Sequence, residues 1–104
     1  MITARVYFCH KQPCGFSIEG HSGAGQAGQD IICSAVSSAA YMAANTLTEI
    51  NKAKADISVS DGFLKLMLQG EINKPDSDII AGLLLHLKAL QEQYPKFLKV
   101  ITEV

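Results

Sequence analysis

The chain has 104 residues, 48% of them hydrophobic and 18% charged, with a formal net charge of −1. A chain of that length folds as one domain, because a split would leave halves too small to bury a core. Lysine and arginine are scattered rather than clustered, which excludes a phosphate-tracking face and argues against direct nucleic-acid binding.

Met1-Ile-Thr-Ala-Arg5 leads straight into an alternating segment, so no secretory signal is expected. The longest uninterrupted apolar run, Ile79 to Leu85, is too short to span a membrane. Three cysteines, an odd number without a leader, predict reduced thiols and a cytoplasmic protein.

Taken in chain order, residues 2–9 and 15–20 alternate as strands: Ala4, Val6 and Phe8 against Arg5 and Tyr7, then Phe16 and Ile18 against Ser17 and Glu19. His10-Lys-Gln-Pro-Cys14 is the turn between them. A helix follows from about 31 to 51, with Asp30 as its N-cap and one broad apolar stripe of Ile31, Ile32, Ala35, Val36, Ala39, Met42, Ala43, Thr46, Leu47 and Ile50. Cys33, Ser37, Ala40 and Ala44 lie on the edge of that stripe. Their small size predicts a close neighbour there: a substrate, a second subunit or another element.

Asp61-Gly62 predicts a two-residue type I′ turn pairing Val59 with Leu64, Ile57 with Leu66 and Ser58 with Lys65. Pro75-Asp76-Ser77-Asp78 opens a second helix with acids at its positive end. Ile79, Ile80, Leu83, Leu87, Leu90 and Tyr94 form its core face, Leu85 falls outside it and hints at a subunit contact, and Pro95 ends it. Residues 97–103 close the chain as a strand. The order ββαββαβ predicts an α+β domain with an antiparallel or mixed sheet and two helices.

The segment from Gly20 to Cys33 carries the chemistry. It sets His21 at a strand end, a glycine-rich loop from Ser22 to Gln29, and a cysteine in the first turn of a helix. A cysteine attacks as thiolate, and a helix N-terminus or an imidazolium partner favours that form. His21 is the candidate base and Cys33 the candidate nucleophile. Backbone N–H groups near Cys33 are oxyanion-hole candidates. Asp30 either caps the helix or orients His21. Ser37, one turn after Cys33, either bonds the thiolate or substrate, or merely fills a packing edge. Ser22, Gly23, Ala24, Gly25, Gln26, Ala27, Gly28 and Gln29 form either a mobile cover over substrate or a plain connection.

Three other readings compete. Gly23-x-Gly25-x-x-Gly28 matches the dinucleotide-binding fingerprint, but the preceding strand alternates as a hairpin partner rather than reading as a buried parallel strand. Cys9, Cys14, His21 and Cys33 are soft donors for a zinc module, although the Cys9–Cys14 gap is one residue beyond the common ligand spacing. Taken singly, each of these residues also suits an interaction domain without catalysis. The pairing of His21 with Cys33 across a glycine loop favours the nucleophile, with no metal and no cofactor.

Gly20-His21, the glycine-rich spacer, Gly28-x-Asp30-x-x-Cys33 and Ser37 resemble the ribosomal-processing cysteine protease (Prp) family over essentially the whole chain. The resemblance implies a dimeric bacterial enzyme that removes a short N-terminal extension from a large-subunit ribosomal protein, cutting after an aromatic-rich segment. It implies Cys33 as nucleophile, His21 as base, and supporting roles for Asp30 and Ser37. Ser22 stands where alanine is common in the family, a change with no expected catalytic consequence.

Overall fold

The first hairpin turns on two residues, His10 and Lys11, both with positive φ (52° and 69°). They join β1 (Ile2–Cys9) to β2 (Gln12–Glu19). Sequence placed this turn over five residues, because neither His nor Lys signals a left-handed backbone. Pro13 fits in β2 because β4 pairs only with Gly15–Glu19, beyond the proline. The register between β1 and β2 shifts after Tyr7, leaving Cys14 without an opposite residue.

The structure, a computed structural model, describes the main chain of residues 1–20 and 27–104, and side chains at 1–20 and 31–104. A five-stranded sheet runs β3-β4-β2-β1-β5, with β3 (Ala55–Ser60), β4 (Phe63–Leu68) and β5 (Leu98–Glu103). It is mixed: β5 lies parallel to β1 and the other pairs are antiparallel. The element order and α+β class agree with the sequence reading.

Helices α1 (Ala27–Asn45) and α2 (Lys74–Gln93) cover one sheet face. Ile2, Ala4, Val6, Phe16, Ile18, Leu64 and Leu66 meet Ile32, Val36, Ala40, Leu47, Ile80, Leu83 and Leu87 in a single core. By length and composition, Ile31–Ile50 would also suffice to cross a membrane. It is a longer apolar stretch than Ile79–Leu85, and one side of it is packed on this sheet. The opposite sheet face carries a polar ladder. Arg5 pairs with Glu19 and, at 3.2 Å, with Glu103. The Tyr7 hydroxyl bonds Ser17 Oγ at 3.0 Å, and Lys65 Nζ sits 5.1 Å from the Tyr7 ring centre.

Helix α1 ends in a π-helical turn, Thr46–Ile50, where Asn51 N–H donates to the Thr46 carbonyl five residues back. The hydroxyls of Thr46 and Thr48 donate to the carbonyls of Met42 and Ala44, at 2.7 and 3.0 Å. The helical run thus stops where the sequence predicts, but it starts four residues early. Ala27, Gly28 and Gln29 are helical rather than loop, and Asp30 is not the N-cap. At α2, Asn73 caps by accepting from the Asp76 N–H at 2.9 Å, with Pro75 in the first turn. Leu85 is 74% exposed, as its position off the stripe implies; Tyr94, expected on the core face, is the C-cap and partly exposed.

The second hairpin has the predicted register, Val59↔Leu64, Ile57↔Leu66 and Ser58↔Lys65. Its turn differs. Positive φ occurs at Gly62 but not at Asp61, the pattern of type II rather than type I′.

The expectation of reduced thiols is overturned at Cys9 and Cys14, which form a disulfide across the first hairpin with their Cα atoms 5.7 Å apart. The tight turn and the register shift bring them within reach, neither of which the residue types announce. The bond occupies two of the four donors of the zinc reading. It closes a short loop, so chain-entropy arguments give it about 2 kcal/mol. Urea unfolding with and without dithiothreitol should differ by about that amount, with a folded protein in both.

Candidate active site

Two structural units meet at the C-terminal end of β2. Gly20 ends the strand with φ +92°, and its N–H donates to the Gly62 carbonyl in the β3–β4 turn at 3.0 Å. A Cβ on Gly20 would stand 2.4 Å from the Met1 carbonyl oxygen. Both the dihedral and the contact therefore require glycine.

Helix α1 brings Cys33 over this junction. Its thiol is free and half-buried, at the rim of a cavity of about 170 Å³. Cys33, Ser37, Ala40 and Tyr41 form the helical wall. Ile18 and Gly20 of β2 form a second, and Ser60, Gly62, Phe63 and Leu64 of the β3–β4 hairpin a third. The small residues on the edge of the α1 stripe thus have their close neighbour: the hairpin end, with a cavity between. A larger groove of about 710 Å³, lined in part by Ala35, Met42, Gly82 and His86, separates α1 from α2 and contains no cysteine.

Cys33 is not in the first turn. With α1 beginning at Ala27, it is the seventh helical residue. The helix dipole acts over the first turn, so the activation expected from it is largely lost at this depth. The same shift withdraws the nearby oxyanion donors, because only the first four N–H groups of a helix lack an internal acceptor and the Cys33 N–H falls after them. Asp30 lies within the helix, three residues before Cys33.

His21 and residues Ser22 to Gln26 lie outside the described residues, so the histidine and most of the glycine-rich segment carry no geometry here. Gly20, the residue immediately before His21, lines the Cys33 cavity. Of the described candidates, Cys33 and Ser37 share the cavity. Tyr41, Ser60 and Phe63 also line it, and the sequence reading assigned them no part in the site. Tyr41 was detectable: it follows Cys33 by eight positions and Ser37 by four, on one side of a helix. Ser60 and Phe63 flank a well-marked turn, but nothing local says that the turn abuts α1.

The family model described as cysteine protease Prp matches residues 1–99. Among solved structures, the SMU.848 protein of Streptococcus mutans superposes with a TM-score of 0.88 at 22% identity, over 100% of this chain and 99% of that one. The ribosomal processing protease Prp of Staphylococcus aureus gives 0.86 at 21% identity with a covalently linked product peptide, over 98% of this chain and 99% of that one. With a substrate peptide it gives 0.89 at 20% identity and the same coverage. No curated protein matches. The structural likenesses establish the fold.

Replacing Gly20 with alanine should cost about 2 kcal/mol of unfolding free energy, from the positive φ and the Met1 contact together. Chemical denaturation reads this directly. Wild-type stability in that variant would show that the strand end does not need the glycine backbone.

Proposed function

Because the chain belongs to the cysteine protease Prp family, we propose that Cys33 is its nucleophile, His21 its base, and the N-terminal extension of a large-subunit ribosomal protein its substrate. The observation that carries this reading is the cavity itself: Cys33, a free cysteine on α1, lines a space that is also lined by Gly20, the residue before the histidine. The solved S. aureus relative, with its substrate peptide and its covalently linked product peptide, supports a peptide substrate.

His21 takes the thiol proton, and the Cys33 sulfur attacks the scissile carbonyl to form a C–S bond. The tetrahedral adduct collapses, the C–N bond breaks, and His21 returns the proton to the leaving amine. Water, deprotonated by the same imidazole, then hydrolyses the thioester and restores the thiol. Since Cys33 lies beyond the reach of the helix end, its thiolate depends on the imidazole more heavily than a first-turn cysteine would. Ser37, one turn along the same wall, bonds the sulfur or a substrate carbonyl on this reading, supported by its lining the same cavity. Asp30 acts in support of the pair, and the segment from Ser22 to Gln26, what remains of the expected loop before α1, serves as cover.

On this reading the enzyme works in the cytoplasm, where ribosomal proteins are made, and as a homodimer like its family.

The deciding experiment is cleavage of a fluorogenic peptide carrying the ribosomal-protein extension. Wild type should turn it over, while Cys33→Ala should be inactive and fold normally; activity in Cys33→Ala would disprove the assignment. His21→Ala should lose at least about a hundredfold in turnover and react more slowly with iodoacetamide at Cys33. Wild-type rates in both assays would remove His21 from the mechanism.

A further inference from the structure

A protease that cuts an extended tail must hold the substrate main chain in register beside its thiol. Strand β3 has the geometry for that. It is an edge strand, pairing among the described residues with β4 alone. Which of its main-chain groups are free follows from one hydrogen bond. Gln69 N–H donates to the Lys54 carbonyl at 2.9 Å, so these two residues form a bonded pair just beyond the strand ends. Bonded and non-bonded pairs alternate along an antiparallel ladder. Asp56, Ser58 and Ser60 therefore bond to β4, and the N–H and C=O groups of Ile57 and Val59 turn outward.

The same two residues are the exposed apolar ones. Their side chains stand on the helix-bearing face beside Leu64 and Leu66, yet Ile57 is 46% and Val59 58% exposed. Exposed edges are usually blunted by lysine, proline or a bulge. Residues 55–60, Ala-Asp-Ile-Ser-Val-Ser, contain neither lysine nor proline, and their register with β4 is unbroken. The edge also runs into the site, because Ser60 ends β3 and lines the Cys33 cavity together with Gly62.

We propose that the outer edge of β3 is the substrate rail: an extended apolar segment of the peptide pairs with the main chain of Ile57 and Val59 as an added strand, and its continuation crosses Ser60 to Cys33. This mode of docking rests on the reading of Cys33 as the nucleophile. Main-chain pairing supplies affinity, and apolar side chains at alternate peptide positions pack on Ile57 and Val59. From the rail to β4 is two strand spacings, about 10 Å, which about three extended residues cover. A peptide must therefore extend roughly six residues to one side of the scissile bond to use both.

The test uses full-length Cys33→Ala protein, so that binding is read without cleavage. Its probes are a fluorescein-labelled peptide of the ribosomal-protein extension and a truncated form ending at the cavity. The long peptide should bind about tenfold more tightly than the short one, and Val59→Pro and Ile57→Lys should each abolish that advantage. Proline at Val59 removes an outward N–H without taking a ladder bond, and lysine at Ile57 leaves the backbone untouched should the proline variant misfold. By NMR hydrogen exchange, the long peptide should protect the amides of Ile57 and Val59 and leave that of Ser58 unchanged. Equal affinity for both peptides, or unprotected amides at Ile57 and Val59, would overturn the rail. So would a change of oligomeric state in Ile57→Lys by light scattering, which would give this edge to a second copy of the chain. Protection of these amides in a protein whose wild type cleaves nothing would support the rail while removing the nucleophile.

Discussion

The hydrogen bond from Gly20 N–H to the Gly62 carbonyl is the contact on which the arrangement of the site depends. It ties the end of a central strand to the turn of the edge hairpin, and so fixes two of the three walls around Cys33. It also constrains the sequence. The chain must leave β2 with positive φ, and the Met1 carbonyl occupies the place of any side chain. The residue that follows is His21. The candidate base thus follows in sequence a position that requires glycine, while the thiol arrives from an independent element. Where Cys33 stands relative to Gly20 depends on how α1 packs, which makes the described part of the site a consequence of the core.

That packing is asymmetric. Helix α2 covers the β2, β1 and β5 side of the sheet, and α1 lies beside it through Val36, Ala40, Ala43 and Leu47. The two helices leave β3 exposed, so Ile57 and Val59 keep their apolar side chains in water although their partners Leu64 and Leu66 are buried. Each isoleucine or valine left in this way forgoes roughly 1 kcal/mol of the burial it could have had. A third helix over the sheet would recover that energy and close the approach to Cys33. The open edge and the open cavity are two aspects of one incomplete layer.

Much of this was legible in the sequence. Strand alternation, the register across Asp61-Gly62 and the Pro75–Asp78 helix start are local signals, and local signals survive folding. The misreadings share one cause, the competition of tertiary context with residue type. Glycine at position 28 and alanine at 27 read as loop, yet both are helical. His10 and Lys11 adopt the left-handed pair that Asp61-Gly62 was expected to take. The Cys9–Cys14 bond depends on that turn and on the register shift after Tyr7, neither visible in composition. Cys33 and Ser37 were recognisable from spacing, whereas Ser60 and Phe63 belong to the site only because a distant turn packs on α1.

The early start of α1 has the largest chemical consequence. A cysteine at a helix N-terminus borrows thiolate stability from unpaired N–H groups, whereas one two turns inside finds every neighbouring N–H engaged. Among the described residues, the wall that holds Cys33 offers it Ser37 and no charged side chain. Gly20, the residue that precedes the candidate base in the chain, lines the same cavity as Cys33.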